Sequence, residues 1–325
     1  MLNYTNAPDF TTKYLEQVWK RLPQFIRPTF LLPWTYPELL KYDCELTIVS
    51  ETFQYTGSFK FRAAYNLISS VPQNHIIAAS SGNFGQAVAY ASSLLGKTCT
   101  IVMPATSASV KIAAVQAYGG EANLIDVQQV SRAERVEQLL TVHPGAFQAH
   151  AYDDYRVVAG NSTLGKEIFA NNDFDVIIAP VGGGGLISGI TVARDYLQRS
   201  TEIIGAEPLP GNDAARSFRS GTLLANEQEP ATVADGARTI SLGKLNWEII
   251  EHGLSDIIEV PDALTLTALR RLFRYANLKV EPTGALAVAA VLGNPERFAG
   301  KRVCCVISGG NVDPALYART ISTED

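Results

Sequence analysis

The sequence predicts an α/β protein of two lobes, each a parallel-rich sheet flanked by helices. Three observations predict it. Between residues 75 and 143, short β-branched runs alternate with longer helix-like runs. The same alternation resumes at residue 175 and continues to 313. The chain, at 325 residues, is also too long for one small core and comfortable for two lobes.

Taken in order, HIIAASS (75–81) is a strand, and NFGQAVAYASSLLG is a helix ending on Gly96. TCTIVMP (98–104) is a strand stopped by proline, and SASVKIAAVQAYGG is a helix closed by Gly119 and Gly120. EANLIDV is a further strand, and SRAERVEQLLTVH a helix with Ser131 as its N-cap. These elements make a small lobe, residues 76–151. In the second series, DVIIAPVGGGG (175–185) is a strand running into glycines, followed by the helix LISGITVARDYLQR. EIIGAEP and DIIEVP are strands, DALTLTALRRLFRYANLKV and TGALAVAAVLG are helices, and KRVCCVISGGNVD is a closing strand and turn. Residues 1–75 show no lobe of their own and join this second, larger lobe, residues 1–75 plus 152–325. Only a short tail is expected after Asp313.

Composition removes several classes of function. The net charge of −5 and a pI near 5.5 argue against a binder of nucleic-acid backbone. No apolar run reaches membrane-spanning length, and the N-terminus lacks a basic stretch followed by an apolar one, so no signal peptide is expected. Cys44, Cys99, Cys304 and Cys305 form no C-x-x-C pair and read as buried free thiols in a reducing cytoplasm. Cys304 and Cys305, adjacent on a strand, should face opposite sides of it.

Four stretches carry chemistry. Gly182–Gly185, between a strand and a helix, can converge backbone N–H groups on a phosphate; tight strand–helix packing is the plainer alternative. The run is not the dinucleotide fingerprint, because Ile187 or Ser188 stands at the third glycine position. GNSTLGKE (160–167) imitates a nucleotide P-loop, but Glu167 stands where Ser or Thr is required. SSGNFGQA (80–87) places Ser80, Ser81, Gly82 and Asn83 at a helix start, which suits a carboxylate or serves as an ordinary cap. VISGGNVD sets Ser308 at the end of the last strand, where open α/β sheets bind ligands. In TGSFKFRAA, Lys60 lies between Phe59 and Phe61; such surroundings favour a neutral, nucleophilic amine able to form a Schiff base. Pyridoxal 5′-phosphate joins these features, since it needs a lysine, a phosphate cup, a partner for the pyridine nitrogen and a place for the amino-acid carboxylate.

With those motifs in hand, TGSFKFRAA, SSGNFGQAVA, VGGGGLISGI, VEPTGA and VISGGNVD closely resemble the serine/threonine dehydratase and serine racemase family of fold-type II pyridoxal-phosphate enzymes. They occur in the family's order across residues 55–313. The resemblance implies that Lys60 holds the cofactor covalently, Asn83 bonds its 3′-oxygen, Gly182, Gly183, Gly184 and Gly185 hold its phosphate, and Ser308 faces its ring nitrogen. Ser80, Ser81, Gly82 and Asn83 would meet the substrate, with Ser81 the acid/base on the face opposite Lys60. ADGAR (234–238) resembles the family loop near the substrate, and Glu281 its late acidic residue. AEPLPGND resembles the family's divalent-cation loop, with Glu207, Gly211 and Asp213 as ligands for Mg²⁺ or Ca²⁺.

The implied activity is β-elimination from serine, threonine or another β-hydroxy amino acid, giving a 2-keto acid and ammonia in a cytoplasmic homodimer. A racemase is the runner-up, because reprotonation by Ser81 is the only branch between them. A β-replacement synthase, a non-catalytic cofactor carrier and a nicotinamide enzyme fit the motifs less well. The chain departs from the family pattern at Phe84, Ala63, Asn161 and Ser162, and at Ala151 where proline is usual after His150. Phe84 and Tyr152 are expected beside the substrate's β-carbon, favouring a substrate other than simple serine.

Overall fold

The computed structural model describes residues 4, 5, 7–170 and 172–323. The extreme ends of the large lobe expected from the sequence, 1–3 and 324–325, lie outside the described residues. The chain begins α1 (Thr12–Arg21), β1 (Phe30–Trp34), α2 (Pro37–Leu40), β2 (Glu45–Ser50) and α3 (Lys60–Ser69). Next come β3 (His75–Ala79), α4 (Asn83–Leu94), β4 (Thr98–Pro104), α5 (Ser109–Ala117), β5 (Glu121–Ile125), α6 (Arg132–Val142) and β6 (Phe147–Ala149). It continues with α7 (Tyr155–Phe169), β7 (Val176–Pro180), α8 (Gly185–Tyr196), β8 (Glu202–Pro208), α9 (Asp213–Ser220), α10 (Lys244–Gly253) and β9 (Asp256–Val260). It closes with α11 (Asp262–Ala276), α12 (Pro282–Gly293), β10 (Arg302–Ile307) and α13 (Pro314–Ser322).

Two sheets organise these elements. One has the order β1-β2-β10-β7-β8-β9 and the other β5-β4-β3-β6. Every neighbouring pair is parallel except β1 with β2. Strand β7, VIIAP, is buried at every position, which is why it reads as a continuous apolar run rather than an alternating one. On β10, Cys304 and Cys305 enter different apolar clusters, as a period-two strand requires. One cluster includes residues of α1, α3, α4 and α7, so apolar packing is continuous between segments on both sides of residue 75.

Local signals set several boundaries. Ser131 and Glu134 form a reciprocal capping box at the start of α6. Asp154 caps α7, its carboxylate accepting the Arg156 amide at 2.8 Å. Asn277, in the left-handed region at φ 52°, ends α11. The P-loop look-alike lies inside α7, so its glycines are helical and cradle nothing. The expected plain tail beyond Asp313 is instead helix α13, which Asp313 caps through the Leu316 amide at 2.9 Å.

Candidate active site

Lys60 is the first residue of α3, and the segment before it is tied to the end of β10. The Phe59 amide donates to the Ser308 carbonyl at 3.0 Å, and the Gly310 amide to the Gly57 carbonyl at 3.0 Å. The tight approach leaves no room at Gly309, where a Cβ would fall 2.8 Å from that of Ser58. The lysine is therefore delivered beside Ser308. Its Nζ donates to the Ala151 carbonyl at 2.9 Å and lies 5.0 Å from the Phe59 ring centre and 5.7 Å from that of Phe84. Burial among these groups pushes the amine down to about 8, and the field of Glu281 acts in the opposite direction.

Helix α3 is held by a buried ionic cluster that the sequence did not announce. The fully buried Arg62 binds Glu51 through Nε at 2.7 Å and Nη2 at 2.9 Å. It binds Glu167 on α7 at 2.8 and 3.1 Å, and the Thr163 hydroxyl at 3.1 Å. Glu167 also accepts the Thr29 amide at 2.6 Å. The residue that disqualified the P-loop thus serves to fix Arg62, two positions from Lys60.

The Ser80–Gly82 turn leaves β3 at the carboxyl end of its sheet. The Ser80 Oγ accepts the Gly85 amide at 3.0 Å and the Gly82 amide at 3.3 Å, so its oxygen shapes the turn. Ser81, Gly82 and Asn83 are half-buried. Asn83 donates to Glu281 at 2.7 Å and accepts from Asn311 at 2.8 Å; Asn311 also donates to the Thr56 carbonyl at 2.7 Å. Burial, and secondly the charge of Asp235, push the Glu281 carboxyl up to about 8. In the SGGN stretch the strand-end position marks Ser308, whereas no local pattern marks Asn311.

The glycine run leaves β7 and enters α8. Gly184 has φ 90°, where a side chain would be strained. A Cβ on Gly183 would stand 2.3 Å from the Tyr152 ring, so that ring lies directly on the loop. Tyr152 also makes an edge contact with His150, ring centres 4.7 Å apart. Asn246, which had no sequence signal, donates to the carbonyls of Gly183 at 2.7 Å and Tyr152 at 3.0 Å. Asn161 donates to the Gly185 carbonyl at 2.9 Å, which gives that departure from the family pattern a loop-bracing task. Phe84 is 2% exposed and belongs to the apolar core, while its ring still borders the lysine amine.

The residues fit pyridoxal phosphate. Ser308 Oγ is buried without a partner, a cost that a ring nitrogen would remove. The amine of Lys60 is partly desolvated and lies one residue from the backbone link to Ser308. The glycine loop opens at the start of a helix, where the macrodipole favours an anion.

A second acidic site lies at the end of β8. Glu207 accepts the amides of Ala214 at 2.9 Å and Ala215 at 2.8 Å. Burial, and next the charge of Asp213, push Glu207 well above the usual carboxylate range. Burial raises Asp213 to about 7; its Oδ1 accepts Asn226 at 2.8 Å, while Oδ2 is buried without a partner. An unpaired buried carboxylate oxygen beside a second carboxylate fits a hard cation. Among the described residues no group of three or more His, Cys, Asp or Glu side chains could hold a metal, so carbonyl oxygen and water would have to complete the shell. No helix among the described residues is long and apolar enough to cross a membrane.

Comparison with known proteins agrees with this geometry. Residues 22–309 match the family model described as pyridoxal-phosphate dependent enzyme. The chain is 37% identical over 291 residues to an L-threo-3-hydroxyaspartate ammonia-lyase of Saccharomyces cerevisiae, covering 88% of each protein. It is 35% identical over 287 residues to a serine racemase of Schizosaccharomyces pombe, covering 87% of this chain and 88% of that one. Among solved structures, a threonine deaminase of T.th. superposes with a TM-score of 0.87 at 35% identity, covering 93% of this chain and 99% of the other.

Proposed function

Because the chain belongs to the pyridoxal-phosphate dependent enzyme family, we propose that it is an ammonia-lyase that removes water and ammonia from a β-hydroxy amino acid. The observation that carries the reading is the buried Lys60 amine on a segment bonded, through the Phe59 amide, to Ser308, whose own hydroxyl is buried without a partner. Of the β-hydroxy amino acids, one with a side-chain carboxylate, of the 3-hydroxyaspartate type, is the finer reading; the ammonia-lyase relative supports it.

Lys60 would hold the cofactor, with Asn83 at the 3′-oxygen, Gly182–Gly185 at the phosphate and Ser308 at the ring nitrogen. When bound, pyridoxal phosphate supplies an electron sink that acidifies the Cα–H of the amino acid. The amides and hydroxyls of Ser80–Gly82 suit the α-carboxylate. Lys60 Nζ, with a basicity near neutrality, takes the α-proton and can return one when the product leaves. Ser308 offers a neutral hydroxyl, which would meet the ring nitrogen without charging it, a setting that would favour departure of the β-hydroxyl. The proton removed from Cα and the hydroxide lost from Cβ balance as water. The released enamine tautomerises and hydrolyses to a 2-keto acid and ammonia.

Racemisation is the second reading, supported by Ser81 in the carboxylate turn and by the serine racemase relative. Lys60 serves one face of Cα, and Ser81 would serve the other. A Mg²⁺ or Ca²⁺ ion at Glu207, Gly211 and Asp213 is supported by the uncompensated carboxylates described above. A homodimer is supported by the exposed ring pair Phe30 and Phe53, ring centres 5.9 Å apart. The large lobe, 1–75 with 152–325, would hold the cofactor and the small lobe, 76–151, would offer Ser80–Asn83 to the substrate.

The test is a panel of L- and D-β-hydroxy amino acids, assayed together for ammonia, keto acid and enantiomer. Release of ammonia and keto acid in equal amounts supports the lyase. A change of enantiomer without ammonia would replace it with the racemase. Full turnover by K60A would overturn both.

A further inference from the structure

We propose that Lys111 is the specificity residue that receives the side-chain carboxylate of an acidic β-hydroxy amino acid, an inference that rests on the lyase reading above. Lys111 lies in the first turn of α5, just after β4. Strands β3 and β4 are parallel neighbours, with Ala79 opposite Val102. The loop that feeds α5 therefore emerges beside the Ser80–Gly82 turn, at the carboxyl end of the sheet where ligands bind.

The Lys111 ammonium is not left to solvent. Its side chain is 17% exposed and meets the Asp235 carboxylate, which belongs to a segment bordering the other sheet. An ammonium has three N–H donors, and Asp235 is one acceptor. The pair is also electrically joined to the reaction centre. Asp235 raises Glu281 and Lys111 lowers it; Glu281 bonds Asn83 and acts on the Lys60 amine. Lys111 thus stands within the field of the groups that surround the amino acid, yet nothing in the elimination chemistry needs it.

Two unpartnered hydroxyls lie on the same two segments. Ser107 Oγ, four residues before Lys111, and Thr239 Oγ1, four residues after Asp235, are buried without partners. One belongs to each of the two segments that the ion pair joins. A buried hydroxyl without a partner is costly, and the Lys111 ammonium has N–H donors beyond the one that meets Asp235. A dicarboxylic amino acid brings two carboxylates. The Ser80–Gly82 turn suits the first, and the Lys111 ammonium suits the second. In the resting protein Asp235 occupies the ammonium in the substrate's stead.

The experiment uses the holoenzyme with two readouts. The first is kcat/KM for L-threo-3-hydroxyaspartate and for L-serine in the parent, K111M and K111R. The second is binding of succinate and propionate by calorimetry, which needs no turnover. K111M should lower the hydroxyaspartate-to-serine ratio about 10- to 100-fold, chiefly through KM, and weaken succinate comparably, the usual worth of a hydrogen bond to a charged group. Propionate should bind alike in parent and K111M, and K111R should recover most of the ratio because it restores the charge. An unchanged ratio, undiminished succinate binding in K111M, or K111R as poor as K111M would overturn the assignment. If the parent releases ammonia from no β-hydroxy amino acid, the lyase reading fails, and the succinate arm still decides whether Lys111 binds a second carboxylate.

Discussion

Replacing Arg62 by methionine tests whether the buried ionic cluster is what holds helix α3, and with it Lys60, in place. Methionine keeps much of the aliphatic volume and removes the guanidinium. The loss falls unevenly on the partners. The Glu167 side chain is 24% exposed and keeps its bond from the Thr29 amide, so water and backbone compensate part of it. The Glu51 side chain is completely buried and loses bonds of 2.7 and 2.9 Å at once. Removing one member of a buried pair costs about 3–5 kcal/mol, because the other charge is left without compensation. Unfolding entropy of about 2.1 cal/mol/K per residue amounts to ~0.7 kcal/mol/K over 325 residues. A loss of ~4 kcal/mol therefore lowers Tm by ~6 °C. Scanning calorimetry reads this directly, and the visible absorbance of bound cofactor reads whether Lys60 remains in position. The double variant R62M/E51Q removes the orphaned charge as well and should recover about half of the loss. A single variant melting with the parent, or a double variant no better than the single, would refute the idea that Glu51 and Arg62 compensate one another.

Three other outcomes follow from the site. K60A should lose both the visible cofactor band and ammonia release; retained turnover would remove Lys60 from the chemistry. G183A should weaken cofactor binding, since its Cβ would strike the Tyr152 ring at 2.3 Å, and G183A/Y152A should restore part of the affinity, measured by cofactor titration. Metal should matter more as pH rises. Asp213 is raised from an ordinary 3.8 to about 7, so its share of stability is complete below pH 4 and is lost as pH climbs through 7, with a ceiling of ~4 kcal/mol. Mg²⁺ or Ca²⁺ should thus raise Tm more at pH 8 than at pH 5, and a pH-independent or absent effect in the parent would place no cation there.

The chemistry was legible where it demands a local pattern. A phosphate cup must be consecutive glycines at a strand end, and Lys60 must follow a tight turn, so Gly182–Gly185 and Gly57–Lys60 declare themselves within a few residues. The braces were not legible, because their partners come from distant parts of the chain. Asn246 reaches back to Gly183, Asn311 to Asn83, and Glu167 to Arg62, and no spacing rule connects them. Tertiary contact also revised single residues. Phe84 reads as a pocket wall from its place after SSGN, yet most of its surface is spent in the apolar core. Strand β6 is too short at three residues to show a period, and it exists because β3 offers a free edge. Helix α13 is hard to read because its cap, Asp313, is also the last residue of the VISGGNVD stretch.

The position of β10 has a consequence for how the protein is made. Strand β10, the last among the described residues, lies between β2 and β7, in the interior of its sheet, and carries Ser308 to the turn that presents Lys60. During synthesis, β2 and β7 must wait with their inner edges unpaired until residue 307 has left the ribosome. Lys60 has been translated by then for ~12–50 s, given elongation at about 5–20 residues per second. Until then the site lacks Ser308, so products truncated before it should hold the cofactor less well and expose two sticky sheet edges. Synthesis through Ser308, and not cofactor supply alone, therefore sets the earliest moment at which this site is whole.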